Sequence, residues 1–308
     1  MHSARAIQRV AIVGFGEAGG IFAKDFVVAG LDVCVFDILF NSNRQRKPML
    51  QKARDCGVTA ARDLKDCLID AEVVISAVTA ASALDVAKAA GHFLADGQLF
   101  LDINSLSPAN KCKAARYVAR KGARFVEAAV MSAVPKQRLQ VPILLGGPHA
   151  FETAECLQRI GMNVTPLSHQ LGVASAVKMC RSVIIKGLEA LAIESLFAAR
   201  MYGAEEKVLE SLAASFPAMG WNDHLPDYLI SRVAEHGHRR AVEMHEAAHT
   251  LQCVGIEPTM ALATSRRQKQ LVRQMAKRRV AFDSHERFSW RSLSDAVVHP
   301  RRRSGSGN

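Results

Sequence analysis

Short apolar runs alternate with segments of helical periodicity through the first half of the chain. Strand-like runs occur at residues 10–13, 32–36, 57–58, 73–78, 99–102, 124–129 and 142–145. The runs at 73–78 and 99–102 are mainly apolar, which is typical of parallel strands that helices cover on both faces. The alternation therefore predicts an α/β domain over residues 1–168, built on a doubly wound parallel sheet.

The second half of the chain carries helical patterns only. Residues 173–201 contain no proline and a single glycine, Gly187, so they predict a helix roughly 40–45 Å long at about 1.5 Å per residue. Further helices are predicted at 205–215, 227–235, 239–254 and 258–276. We expect an all-helical domain over 169–280 that binds substrate and forms a homodimer, because so long a helix needs burial to be stable. Residues 281–308 are expected to be a basic and largely disordered tail.

A glycine-rich segment joins the first strand to the first helix, with the sequence Gly14-Phe15-Gly16-Glu17-Ala18-Gly19. Gly14 permits a tight turn, Gly16 lets the backbone approach a pyrophosphate, and Gly19 allows close packing of the helix on the strand. Asp37, at the end of the second strand, is placed to accept the ribose hydroxyls of an adenosine. This combination predicts a Rossmann domain that binds a dinucleotide cofactor; the alternative is a glycine turn with no ligand.

Composition and charge exclude several other classes of protein. The 308 residues are 49% hydrophobic and 22% charged, as in ordinary globular proteins. No apolar run reaches the roughly 20 residues of a membrane-spanning helix, and no secretory signal precedes the first strand. Seven scattered cysteines without a CxxC pair favour reduced thiols and a cytoplasmic location. The net charge of +11 is concentrated partly in the tail, and without a nucleic-acid-binding module we expect neither nucleic-acid nor membrane partners.

Three motifs, in this order, resemble those of the β-hydroxyacid dehydrogenase superfamily, which includes 3-hydroxyisobutyrate and 6-phosphogluconate dehydrogenases. They are the glycine loop, Asp102-Ile103-Asn104-Ser105-Leu106-Ser107-Pro108 and Gly172-Val173-Ala174-Ser175-Ala176-Val177-Lys178. The C-terminal part resembles a less characterised branch with its own helical domain. The resemblance implies NAD(P)-dependent hydride transfer between a nicotinamide and a small anionic hydroxy acid, or the carbonyl form of that acid.

The resemblance assigns the role of general acid/base to Lys178. A lysine near the start of a largely apolar helix is partly desolvated, which favours its neutral form and suits it to take the hydroxyl proton. The alternative is a lysine that simply extends to solvent. Val78, Thr79 and Asn104 join the glycine loop and Asp37 as expected cofactor-binding residues.

Two departures from the family pattern concern the substrate. Met131-Ser132-Ala133 replaces the family's Ser-Gly-Gly after the sixth strand, and Arg181 and Ser182 replace residues that are usually Asn or His. Because Lys178, Arg181 and Ser182 share one helix face, we expect Arg181 to bind the substrate's carboxylate or phosphate. Pairing of Arg181 with a local acid such as Glu127 is the alternative. Ser105, Ser132 and Ser182 are the other expected substrate contacts.

Alternatives stay open for the cofactor and the reaction. Asp37 at about 4 Å would oppose a 2′-phosphate by about 4 kcal/mol at an effective dielectric of about 20, which favours NAD. Arg44, Arg46 and Lys47 would instead accommodate NADP. An imine reductase of the same architecture is an alternative reaction, although such enzymes usually lack the lysine found at 178. A non-catalytic nicotinamide-binding sensor is the other alternative.

One further motif matches the HExxH spacing of zinc proteases, at His245-Glu246-Ala247-Ala248-His249. This spacing puts two imidazoles on one helix face. No third ligand signal follows, so we interpret the match as chance and expect no metal.

Overall fold

Eight strands form one sheet within residues 7–298, which are the residues that the computed structural model describes. The strands are β1 (Arg9–Val13), β2 (Asp32–Phe36), β3 (Thr59–Ala60), β4 (Val73–Ser76), β5 (Leu99–Asp102), β6 (Arg124–Val130), β7 (Ile143–Gly146) and β8 (Val164–Ser168). Their order is β3-β2-β1-β4-β5-β6-β7-β8, and all neighbours are parallel except β6 and β7. The predicted doubly wound α/β fold is confirmed. Its strand order reverses between β1 and β4, the place where such sheets bind ligands.

Helices cover both faces of this sheet. They are α1 (Glu17–Val28), α2 (Arg46–Cys56), α3 (Leu64–Leu68), α4 (Ala80–Ala90), α5 (Pro108–Val118), α6 (Val134–Gln137) and α7 (Ala150–Arg159). On one face Val10 and Ile12 of β1 belong to the same buried cluster as Phe22 of α1. On the other face Val13 belongs to a cluster with Leu68 of α3. Because both faces are covered, β4 and β5 are buried along their whole length, which explains their apolar sequences.

The chain divides into two compact units, Met1–Cys180 and Arg181–Asn308. Helix α8 (Val173–Met201) passes from the first unit into the second, so the division falls inside a helix rather than at the predicted boundary after residue 168. The second unit continues with α9 (Glu205–Ser215), α10 (Leu225–Gln252), α11 (Thr259–Arg278) and α12 (Trp290–Val297). Its core includes Phe197, Ile230, Leu271 and Trp290, one residue from each of four helices.

Two buried ion pairs join α8 to α10 in the second unit. Lys186 Nζ donates to Glu243 Oε2, and the Arg240 guanidinium donates to both carboxylate oxygens of Glu189. Lys186, Glu189 and Arg240 are 6%, 1% and 9% exposed. Burial lowers the pKa of Lys186 although Glu243 opposes this shift, and burial raises the pKa of Glu189 although Arg240 opposes it. Sequence patterns did not predict these pairs, because each partner lies far away along the chain.

The structure differs from the predicted elements in four places. The short strand expected at residues 57–58 lies instead at Thr59–Ala60, because Gly57 ends helix α2. Strand β8 was not predicted, and Pro166 within it is a residue that sequence rules place outside central strands. The two helices expected at 227–235 and 239–254 are one helix, α10, interrupted at His236 (φ −127°, ψ 15°). Helix α12 lies in the segment expected to be disordered from residue 281, since Trp290 there is 1% exposed and packs into the core.

The remaining expectations about the chain ends concern residues 1–6 and 299–308, including Arg301-Arg302-Arg303, which lie outside the described residues. Between residues 7 and 298, no helix combines the length and the apolar character that crossing a membrane requires.

Candidate active site

The three glycines of the loop between β1 and α1 meet three different geometric needs. Gly14 has φ +98°, and a Cβ built there would lie 2.4 Å from the carbonyl oxygen of Ala77. A Cβ at Gly19 would lie 1.9 Å from the carbonyl oxygen of Gly14. A Cβ at Gly16 would meet no protein atom within 4 Å. Gly14 and Gly19 are therefore required by the fold, whereas Gly16 leaves the backbone at the start of α1 open to a ligand.

Asp37 connects the end of β2 to the glycine loop. Its Oδ2 accepts a hydrogen bond from the backbone N–H of Phe15 at 2.7 Å, and its Oδ1 accepts from Leu39 N–H at 2.9 Å. Each carboxylate oxygen keeps acceptor capacity for a second donor. The structure thus brings the predicted cofactor residues Phe15 and Asp37 into direct contact, and it gives Asp37 a role in shaping the loop as well.

Lys52 of α2 also stabilises the glycine loop. Its Nζ donates to the carbonyl oxygens of Phe15 at 2.7 Å and Gly16 at 2.8 Å, and it lies 4.4 Å from the centroid of the Phe15 ring. Sequence reasoning missed Lys52, because one lysine on a helix with several basic residues carries no distinguishing signal. Arg44, Arg46 and Lys47, the residues considered for a 2′-phosphate, are exposed before and within the first turn of α2.

Asn104 supports the edge of the sheet at the ends of β4 and β5. Its Oδ1 accepts from Val78 N–H at 2.7 Å, and its Nδ2 donates to Ser76 Oγ at 2.9 Å and Asp102 Oδ1 at 2.6 Å. With 4% of its surface exposed, Asn104 positions the backbone of Val78, which is one of the predicted cofactor residues. A direct contact between Asn104 and a cofactor stays a prediction. Thr79 is exposed at the start of α4, and its hydroxyl lies 3.1 Å from Ser82 Oγ.

The helix that carries Lys178 begins beside the loop that carries Ser105. Gly172 has φ +99°, and a Cβ there would lie 3.0 Å from Cβ of Pro108, at the start of α5. Lys178 is half-buried on α8 in the first unit, and Ser105 is half-buried between β5 and α5. The first unit thus contains the glycine loop, the Asp102–Pro108 loop and Lys178.

The expected substrate residues have different surroundings. Ser132 is exposed after β6 and donates to Gln137 Oε1 at 2.8 Å. On α8, Arg181 is exposed and Ser182 is 8% exposed, and both belong to the second unit. Glu127, the acid considered as a partner for Arg181, is 0% exposed and accepts instead from the backbone N–H groups of Gly172 and Ala174.

More than half of the chain, residues 9–168, matches the family model described as the NAD binding domain of 6-phosphogluconate dehydrogenase. The chain belongs to this family. Within the matched range lie the glycine loop, Asp37, Lys52 and Asn104. Residues 199–271 match a second family, described as a domain of unknown function (DUF1932).

Two solved structures and one named enzyme are similar to this chain. A conserved hypothetical protein from Sinorhizobium meliloti 1021 is 34% identical with a TM-score of 0.74, covering 95% of this chain and 96% of that one. A conserved protein reported to resemble 3-hydroxyacid dehydrogenases is 31% identical with a TM-score of 0.66, covering 85% and 97%. The 3-hydroxyisobutyrate dehydrogenase of Pseudomonas aeruginosa is 26% identical, covering 69% of this chain and 71% of the relative.

These findings confirm the predicted superfamily and support oxidoreductase chemistry with a nicotinamide cofactor, without separating NAD from NADP.

The HExxH match lies on α10, outside the family's NAD-binding range. There His245 Nε2 lies 3.1 Å from Lys269 Nζ, and His249 Nε2 lies 3.6 Å from Cys253 Sγ. Throughout residues 7–298, no three His, Cys, Asp or Glu side chains are grouped so as to hold a metal ion.

Proposed function

We propose that this protein is an NAD(P)-dependent dehydrogenase that interconverts a small anionic hydroxy acid and its carbonyl form. The proposal is supported by the proximity of the Gly172 turn to the Asp102–Pro108 loop within the first unit. The Gly172 turn that starts the Lys178 helix lies against Pro108, which ends the Asp102–Pro108 loop. That loop begins at β5, and its Asn104 accepts a hydrogen bond from the N–H of Val78, two residues after the end of β4. The Lys178 helix therefore starts at the edge of the sheet where the family binds its cofactor.

The residues at the glycine loop fit a nicotinamide dinucleotide. Gly16 leaves room for a pyrophosphate at the start of α1, where the helix dipole favours negative charge. Glu17, Ala18 and Gly19 form the first turn of that helix. When bound, the nicotinamide ring supplies the hydride acceptor for oxidation or the hydride donor for reduction.

Lys178 moves the proton in this proposal. Its neutral amine takes the proton of the substrate hydroxyl as the carbinol carbon loses its hydride, and its ammonium returns the proton in the reverse direction. Arg181 and Ser182, three and four residues further along α8, bind the anionic end of the substrate together with Ser105 and Ser132. A guanidinium suits this role because it binds carboxylate or phosphate through two parallel hydrogen bonds.

For the cofactor we propose a preference for NAD. The carboxylate of Asp37 is fixed by hydrogen bonds to the Phe15 and Leu39 N–H groups, so it cannot turn away from an added phosphate without releasing the loop. A 2′-phosphate next to this carboxylate would be repelled.

We propose a homodimer that forms through α8. Val177, Ile184 and Leu191 are 41%, 67% and 53% exposed and follow one another at intervals of seven residues. This spacing places apolar side chains along one stripe, as in helices that pack against each other. Light scattering at micromolar concentration should give twice the 33.5 kDa of one chain, whereas a monomeric mass would contradict the proposal.

The proposed location is the cytoplasm. It is supported by the cysteines, since all seven are free thiols in the structure and reducing compartments keep thiols in this form.

The test of the reaction is a screen of small hydroxy acids, beginning with 3-hydroxyisobutyrate, against both cofactors at the absorbance of reduced nicotinamide. With the best substrate, Lys178→Ala should lower kcat by roughly a hundredfold or more, the usual scale for loss of a general acid/base. Cofactor affinity should change little, because no proposed cofactor contact is removed. Near-normal turnover of Lys178→Ala would refute the mechanism. Turnover of a ketone with an amine, in place of any hydroxy acid, would support imine reduction instead.

A further inference from the structure

Two buried acidic residues occupy paired positions on neighbouring strands of the sheet. Asp102 of β5 and Glu127 of β6 are register partners in the parallel pair, and they are 1% and 0% exposed. Each also has one oxygen, Asp102 Oδ2 and Glu127 Oε2, without a hydrogen-bond partner among the described residues. Adjacent buried acids are unfavourable unless their other oxygens gain strong interactions. In both residues the other carboxylate oxygen gains such interactions from a neighbouring segment.

Glu127 holds the first turn of α8. Its Oε1 accepts from the N–H of Gly172 at 2.7 Å and from the N–H of Ala174 at 3.2 Å. A carboxylate at this end of a helix is favoured by the helix dipole. Gly146 leaves the necessary space, because a Cβ there would lie 2.2 Å from the same Oε1. Lys178 lies four residues after Ala174 on this helix, directly in line with the anchored turn.

Asp102 stabilises the loop that follows β5 and carries Asn104. Its Oδ1 accepts from both the backbone N–H and the Nδ2 of Asn104, at 3.0 and 2.6 Å. Lys111, 1% exposed, lies 3.4 Å from the same oxygen and donates to the Asp102 carbonyl at 2.6 Å. The pair of acids therefore ties the Lys178 helix and the Asn104 loop to neighbouring strands of one sheet.

We propose that Glu127 is a positioning residue for Lys178, fixing the start of α8 so that the lysine amine stays in line with the loop that carries Ser105. The inference rests on the proposed role of Lys178. Glu127 acts through the backbone of the helix and touches neither substrate nor cofactor. This role requires a hydrogen-bond acceptor at the position of Oε1 and does not require a charge. A neutral side chain that keeps the acceptor should therefore replace Glu127.

The simpler interpretation is that Glu127 only caps a helix and stabilises the fold. A matched capping acid elsewhere separates the two interpretations. Asp63 accepts from the N–H of Asp66 at 2.8 Å at the start of α3, a helix that carries none of the proposed site residues. Removing either cap should lower stability, but only the Glu127 change should alter Lys178.

The experiment compares Glu127→Leu, Glu127→Gln and Gly146→Ala with the control Asp63→Leu, all in the full chain well below the unfolding temperature. Glu127→Leu should lower kcat at least tenfold with KM for the cofactor within about twofold of wild type. Glu127→Gln keeps an amide oxygen for Gly172 and Ala174, so its kcat should stay within about threefold. Gly146→Ala, which displaces the Glu127 carboxylate, should resemble Glu127→Leu. Asp63→Leu should leave kcat unchanged.

A second measurement does not depend on turnover. The rate of reductive methylation of Lys178 by formaldehyde and borane, followed by mass spectrometry, should rise at least threefold in Glu127→Leu and stay at the wild-type value in Asp63→Leu. Unchanged methylation and unchanged kcat in Glu127→Leu would overturn the proposal. Turnover of Lys178→Ala is measured beside that of the Glu127 variants. If Lys178→Ala keeps normal turnover, the proposed reaction mechanism fails, and a change in Lys178 methylation in Glu127→Leu would still show that Glu127 positions the lysine.

Discussion

Substitution of two of the loop glycines, Gly16 and Gly14, should separate cofactor binding from folding. Gly16→Val places its Cβ where no protein atom lies within 4 Å, and the φ of −73° at Gly16 lies outside the left-handed region that favours glycine. The fold should therefore lose less than about 1 kcal/mol, the scale of a changed residue at a helix start. The pyrophosphate, however, should lose its approach to the backbone at the start of α1.

The two effects can be estimated separately. Loss of one or two charged hydrogen bonds, at roughly 1.5–3 kcal/mol each, gives about 3 kcal/mol, or about a 150-fold rise in the cofactor Kd. Gly14→Ala should behave in the opposite way, because φ +98° costs about 1–2 kcal/mol. The contact with the Ala77 carbonyl adds roughly 1–3 kcal/mol of overpacking. Gly14→Ala should therefore unfold at clearly lower temperature.

Isothermal titration with NADH and NADPH, together with thermal unfolding of the free protein, measures both quantities on the same samples. Gly16→Val should unfold close to wild type and bind at least a hundredfold more weakly. Wild-type affinity in Gly16→Val would refute the placement of the pyrophosphate. A large loss of stability in Gly16→Val would refute the steric argument, since the added side chain would then collide with the protein.

Three further predictions follow from single side chains. Asp37→Asn keeps an acceptor for the loop but removes the charge, so kcat/KM for NADP relative to kcat/KM for NAD should rise at least tenfold. A preference of the wild-type enzyme for NADP would show that Arg44, Arg46 and Lys47 decide the cofactor. Arg181→Met should raise substrate KM by an amount equivalent to about 1.5–3 kcal/mol, and an unchanged KM would make the arginine structural. Because burial raises the pKa of Glu189, the folded state holds that proton more tightly than the unfolded state, and its contribution to stability is lost as pH rises through the folded pKa. Denaturant unfolding of wild type and Glu189→Gln across pH should show this difference, and parallel pH profiles would contradict it.

Local patterns were enough to predict the elements around the proposed cofactor site. The strand of residues 99–102, the helix of residues 173–201 and the loop of Gly14, Gly16 and Gly19 all occur where the sequence indicates. Each depends on neighbours a few residues away: apolar runs, an unbroken helical period, and glycines at a strand–helix junction. Such signals are contained in a short window of sequence and survive folding unchanged.

The supporting residues could not be predicted in this way. Lys52 reaches the glycine loop from 36 and 37 residues away, and Glu127 reaches the start of α8 from 45 and 47 residues away. Nothing in the sequence near Glu127 separates it from other acids, because its role arises only when β6 and α8 meet. Asn104 illustrates the same limit, since its motif indicated a place near the cofactor but not that its amide holds Val78.

Both margins of the sheet are poorly suited to recruiting another strand. At one margin β3 has only two residues, and at the other β8 contains Pro166, which has no N–H to offer. Exposed strand edges are common starting points for aggregation, and shortness and proline are two of the ways in which proteins disarm them. A chain with five other strands of four or five residues and one of seven would otherwise present a hazard during its synthesis. Both edges of the sheet thus offer little backbone for pairing with a strand of another molecule, which should slow edge-to-edge aggregation.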